Sequence, residues 1–220
     1  ATNGSVYVAW SKPSELDTVQ FPPPYQYKVY RSPGFSAASL SLFDVRNDIN
    51  DTMVIDTLED TRSRPNSYRV ELWYDSSGVS VRKGISVAAS SIYLTLTPTD
   101  NRIRLDWQES VPWTNSYFKI FRQDPSGGQF NLIDTVIGHS YVDDSLVNGS
   151  QYCYYVTGIG GYSFPGFVDP IVNRSQQTCA LPIDNVPPCS PYLNVVSDCE
   201  TQQNHLSWTN PLYICPDSAD

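Results

Sequence analysis

Apolar residues in this chain recur at every second position, which places them on one face of an extended strand. Val8 and Trp10, Leu105 and Trp107, and Leu206 and Trp208 follow that spacing, as do Ile92, Leu94 and Leu96, and Tyr152, Tyr154 and Val156. No window of ten or more residues keeps a helical apolar period without a Pro, Gly or polar break. The pattern predicts an all-β chain of many short strands. In the first part of the chain the strands fall near Ser5–Trp10, Tyr27–Arg31, Leu40–Val45, Met53–Leu58, Tyr68–Tyr74 and Val79–Ala88. In the second they fall at Ile92–Thr97, Arg102–Trp107, Tyr117–Arg122, Phe130–Ile137, Ser140–Leu146, Tyr152–Ile159 and Ile171–Cys179.

The strands repeat. Ser5-Val-Tyr-Val-Ala-Trp10, Arg102-Ile-Arg-Leu-Asp-Trp107 and Asn204-His-Leu-Ser-Trp208 match, with their Trp residues 97 and 101 positions apart. Tyr27-Lys-Val-Tyr-Arg31 matches Phe118-Lys-Ile-Phe-Arg122, and Tyr68-Arg-Val70-Glu-Leu72 is set against Tyr152-Cys-Tyr154-Tyr-Val156. Blocks in one order at a period of about 100 residues fit a seven-strand sandwich. Leu146-Val-Asn-Gly149-Ser-Gln-Tyr152 has the spacing of a tyrosine corner, with Asn148 and Gly149 at the turn.

These blocks resemble the fibronectin type III family. The resemblance implies tandem immunoglobulin-like sandwiches with Trp10 and Trp107 on strand B and corner tyrosines Tyr68 and Tyr152 on strand F, all structural core. The expected domains are residues 1–91, with strand A apparently missing, and 92–183. Residues 184–220 are expected to hold a Pro-rich linker and the start of a third, truncated unit, with Trp208 also core. Ala88-Ala-Ser-Ser91 runs one unit into the next with almost no linker, so a short, stiff joint is expected. Two strands cannot bury a core alone, so the natural protein is expected to continue beyond Asp220 or to leave this tail loosely docked. With no starting Met or signal peptide, the sequence reads as a mature or excised fragment.

All five cysteines lie in the last third of the chain, none in a Cys-x-x-Cys pair. Cys153 on strand F and Cys179 at the end of strand G lie on neighbouring strands, and a disulfide between them is expected. In the third unit a sandwich puts its N-terminus and B–C loop at one end, which favours Cys189–Cys215 over Cys189–Cys199. Cys199 is then left without a partner in this sequence. Disulfides of this kind point to an exported protein.

A 40% hydrophobic and 17% charged composition supports packed cores. The net charge is −9 and the 14 basic residues are scattered. Nucleic acid and anionic membranes are therefore not expected as partners. No apolar run is long enough to span a bilayer, so membrane insertion is not expected.

Few residues carry candidate chemistry. His139 and His205 lack Cys, Asp or Glu at metal spacing. Asp44, Asp48, Asp51, Asp56, Glu59, Asp60 and the Asp143-Asp144 pair lack a calcium-loop spacing and read as solvated loops. No cofactor, metal or catalytic residue is expected. Trp113, Tyr162, Phe164 and Phe167 fall in the B–C and F–G loops of the second unit, which share one end of a sandwich. They could bind a sugar or protein there, or form the interface with the first unit or the tail.

The resulting expectation is a non-enzymatic spacer or adhesion module of a secreted or cell-surface protein. Its partners would be a surface protein or glycan and the neighbouring domains of a longer chain. The alternative is a carbohydrate-binding accessory region of a secreted enzyme. Pro187-Pro-Cys-Ser-Pro191, Cys199 and Leu206-Ser-Trp-Thr-Asn-Pro211 resemble fibronectin-type repeats of large bacterial surface proteins linked to gliding motility and type IX secretion.

Overall fold

In the computed structural model, residues 4–58, 60–185 and 189–210 are described, and no α-helix occurs among them. The first unit opens with β1 (Val6–Ala9), β2 (Tyr25–Pro33), β3 (Ser41–Arg46) and β4 (Met53–Asp56). It continues with β5 (Asn66–Ser76), β6 (Val79–Ile85) and the short β7 (Ala89–Ser90). β1 and β4 form one sheet, and β3-β2-β5-β6, with β7 also on β5, form the other. Tyr27, Val29, Val54, Val70 and Leu72 fill the space between them. They do so because alternate residues of each strand face inward.

The second unit runs β8 (Tyr93–Thr99), β9 (Arg102–Gln108), β10 (Thr114–Gln123), β11 (Asn131–Val136) and β12 (Ser140–Asp143). It closes with β13 (Tyr152–Gly161), β14 (Ile171–Arg174) and β15 (Thr178–Ala180). Here β12-β9-β8 face β11-β10-β13-β14, and β15 pairs the other half of β13's edge. The core is larger: Ile92, Leu94, Ile103, Leu105, Trp107, Phe118, Ile120 and Val156 are all buried. This strand order, three strands against four, is the fibronectin type III arrangement of the immunoglobulin-like sandwich. The chain is thus a tandem of such sandwiches followed by the hairpin β16 (Leu193–Asp198) and β17 (Gln203–Trp208).

The joint between the sandwiches is short and hydrogen-bonded. Ser90 N donates to Ser110 O at 2.8 Å, and Ser110 N donates to Ser90 Oγ at 2.7 Å. Ser91 N donates to Asn66 O at 3.0 Å, and Tyr93 Oη donates to Ser63 O at 3.0 Å.

Three expectations need correction. First, Trp208 is 69% exposed, because no second sheet covers its hairpin among the described residues. Second, Tyr68 and Tyr152 are not equivalent. Arg31 pairs with Tyr68 across β2–β5, and Arg122 pairs with Tyr154 across β10–β13, so Tyr68 corresponds to Tyr154. Asn66 occupies the corner position in the first unit. The sequence match slipped by two residues, which preserves the face of a strand and is therefore invisible to period-two patterning. Third, Asp56 and Asp143 are not solvated: they are 0% and 5% exposed.

Candidate functional site

The loop aromatics of the second unit converge where it meets the first. β9 leads into the loop that carries Trp113, and β13 leads into the loop that carries Tyr162 and Phe167. Trp113 and Tyr162 meet edge-on at 6.2 Å, and Tyr162 and Phe167 lie 4.8 Å apart. Trp113 and Tyr162 are half-buried, and Phe167 is 52% exposed. Phe164, 72% exposed, makes no ring contact with the other three.

A polar network that loop composition does not reveal holds this cluster from below. Trp113 Nε1 donates to Asn115 Oδ1 at 3.1 Å, and Asn115 Nδ2 donates to Glu109 Oε1. Asn173 Nδ2 donates to Glu109 Oε2 at 3.2 Å and to Ser90 O at 3.1 Å, which ties the network to the first unit. A close backbone approach makes room for it. A Cβ on Gly160 would lie 2.2 Å from Thr114 O and 2.6 Å from Asn115 Cα, so only glycine fits there. Burial raises the Glu109 carboxyl above the ordinary range, opposed by the Asn115 amide, His139 and the Asn173 amide.

The cluster faces an open cavity of about 880 Å³, also lined by Val6 and Val8 of β1 and by Trp10 just after it. Flat rings beside an apolar cleft can stack on the face of a sugar or receive an apolar side chain. His139 lies 3.8 Å from Glu109 and 4.8 Å from the Phe118 ring. His205 is on the exposed β17. Among the described residues, no group of three or more His, Cys, Asp or Glu side chains converges as metal ligands.

The remaining named residues sit in the sandwiches. Trp107 is 2% exposed and edge-on to Phe118 at 5.4 Å. Trp10 is only partly buried, edge-on to Tyr27 at 5.3 Å. The Tyr152 hydroxyl accepts Val147 N at 3.1 Å, closing the turn before β13. The Tyr68 hydroxyl donates to Asp56 at 3.0 Å, and the Tyr154 hydroxyl donates to Asp143 at 2.8 Å.

Each of these acids is also gripped by an arginine through both carboxylate oxygens: Asp56 by Arg31 at 2.9 and 3.1 Å, and Asp143 by Arg122 at 3.0 and 3.1 Å. Burial and the Asp143 carboxylate push the Tyr154 hydroxyl far above the ordinary phenol range. The two Arg–Asp–Tyr sets are structural links between the sheets. Their arginines were already visible as the last residues of the matched strand-C blocks.

Cys153 and Cys179 are disulfide-bonded, with Cα atoms 4.0 Å apart on directly registered residues of β13 and β15. Cys189 is also disulfide-bonded. Cys215, its expected partner, lies outside the described residues, as does Glu59. Cys199 is free and exposed.

Together the fold and the aromatic cluster define a tandem-sandwich chain with a cleft at its joint. No family model matches the chain. It is similar to an amylopullulanase of Thermoanaerobacterium saccharolyticum, 32% identical over 115 residues. That match takes in 50% of this chain and 8% of the relative's length. Among solved structures it is similar to the chicken interferon gamma receptor alpha chain at 14% identity, covering 83% of this chain and 95% of that one, with a TM-score of 0.32.

Proposed function

We propose that this chain is a non-catalytic spacer and interaction module of an exported protein. The observation that carries the reading is the joint: β7 and β8 are almost continuous, and Ser90, Ser91, Tyr93 and Asn173 fasten one sandwich to the next. Such a joint holds whatever lies at its two ends at a set separation. The Cys153–Cys179 disulfide supports an oxidising, extracellular setting. Small-angle scattering tests the reading. One rigid arrangement of the sandwiches should fit the whole curve, and a requirement for many interdomain angles would overturn it.

A second reading, a carbohydrate-binding accessory region of a secreted enzyme, draws support from the Trp113–Tyr162–Phe167 cluster and from the similarity to the amylopullulanase. Affinity electrophoresis through pullulan, amylopectin and an unrelated polysaccharide separates the two. Retardation by an α-glucan that is lost in Trp113→Ala would favour the accessory reading. Unretarded migration in all gels would favour the spacer. A narrower placement, in a gliding-motility-associated protein exported by type IX secretion, rests on the motifs between Pro187 and Pro211. A sorting domain encoded downstream would support it.

A further inference from the structure

The outer face of the larger sheet is charged in the first sandwich and mostly uncharged in the second. Tyr27, Val29, Val70 and Leu72 face the core, so Lys28 and Tyr30 of β2 and Arg69, Glu71 and Trp73 of β5 face outward, with Arg82 of β6 opposite Trp73. The pairs Arg31–Tyr68 and Arg122–Tyr154 bring the two units into register. In the second unit Tyr155 then stands in place of Arg69, Thr157 of Glu71, Ile159 of Trp73 and Val172 of Arg82. Phe121 stacks on Tyr155 there at 4.6 Å. The sandwich therefore folds without the charges that the first unit carries on this face.

Glu71 is the hub of those charges, 2% exposed although it points away from the core. Its Oε1 accepts Arg69 Nη2 at 3.0 Å and Arg82 Nη1 at 3.2 Å, and its Oε2 accepts Trp73 Nε1 at 3.0 Å. The Lys28 ammonium sits 3.7 Å over the Trp73 ring. Three cations thus share one carboxylate. By contrast, Arg46 has Asp44 and Asp51, Arg122 has Asp124 and Asp143, and Arg104 has Asp106. In a chain of net charge −9 this face is a local excess of positive charge, and half of the Arg82 side chain is exposed.

The face also limits what can bind. β2 is paired with β3 and β5, and β5 with β2 and β6, so neither leaves main-chain groups for an added peptide strand. It offers cations held in place by Glu71, beside the rings of Tyr30 and Trp73. Carboxylates pair with guanidinium and ammonium groups, and sugar rings pack on aromatic ones. From this we propose that the outer face around Glu71 binds an acidic polysaccharide whose sugars carry carboxylates. Lys28 and Arg82 pair with the carboxylates, Tyr30 and Trp73 contact the sugar rings, and Glu71 is a positioning residue that holds both guanidiniums. The proposal rests on the interaction-module reading, names its partner, and places it away from the Trp113 cluster.

Isothermal titration of the whole chain tests it, with oligogalacturonate as the probe and a neutral maltooligosaccharide and oligoglutamate as comparisons. Oligogalacturonate should bind and the maltooligosaccharide should not, and added salt should weaken the binding. Lys28→Gln with Arg82→Gln should weaken it about tenfold. Lys119→Gln, at the position of Lys28 in the second unit, and Trp113→Ala should leave it unchanged. Lys28→Gln alone keeps every hydrogen bond of Glu71, so lost affinity at an unchanged melting midpoint separates recognition from folding. Absence of oligogalacturonate binding, or binding that Lys28→Gln leaves intact, would overturn the proposal. So would tighter binding of oligoglutamate, since the partner would then be an acidic protein. The scattering test of the rigid joint is independent of each of these outcomes.

Discussion

At the scale of single residues, the buried acids are the most sensitive positions. Asp143 is held by two charged hydrogen bonds from Arg122 and one from Tyr154. Asp143→Asn removes the buried partner of Arg122, leaving the guanidinium only the more exposed Asp124 at 2.8 Å, and should cost about 2 kcal/mol, read as a lower urea midpoint for the second unit. Tyr154→Phe should cost more than Tyr152→Phe. The first removes a donor from a buried carboxylate; the second removes only an acceptor for one backbone N–H, worth about 1 kcal/mol.

Glu109 sets a pH dependence of the opposite sense to an ordinary ion-paired acid. Its folded pKa is raised, so between the unfolded carboxylate pKa and that raised value the folded chain holds more protons. Stability therefore falls as pH rises through that window. Glu109→Gln should flatten this limb of the stability–pH curve, and an unchanged limb would show that the carboxyl titrates normally.

At the scale of elements, the Cys153–Cys179 staple joins β13 to β15 across 26 positions of chain. Closing a loop of that length should stabilise the second unit by about 3 kcal/mol. Reducing it with dithiothreitol should lower that unit's midpoint and leave the first unit's unchanged. Most elements were legible in the sequence, because Ile92, Leu94, Leu105 and Trp107 alternate cleanly and Gly or Asn marks the turns between them. The strand-G run Ile171–Cys179 is broken into β14 and β15, since Ser175 and Gln176 turn inward and hydrogen-bond neighbouring strands. The aromatic cluster was legible as loop residues at one end of a sandwich. Its support was not. Glu109, Asn115 and Asn173 come from three separate stretches and mean nothing until register brings them together.

At the scale of the whole molecule, the joint decides the behaviour. Asn173→Ala removes the side chain that links Glu109 to Ser90. It should broaden the distribution of angles between the units, seen as a larger radius of gyration in solution scattering, while each unit's own melting midpoint shifts little.

The amide of Gln176 has a mechanical consequence. It donates to Leu94 O at 2.7 Å and accepts Leu94 N at 3.1 Å, tying β8, the first strand of the second sandwich, to the segment between its last strands, β14 and β15. If the chain is pulled from its two ends, those strands are dragged past each other, so the paired bonds are loaded sideways and must break together. Among the described residues the first sandwich has no such clasp: Val87, which follows Ser86, the counterpart of Ser175, is 71% exposed. Under tension it should be the one that yields at lower force, giving the tandem a weak link and a strong one in series.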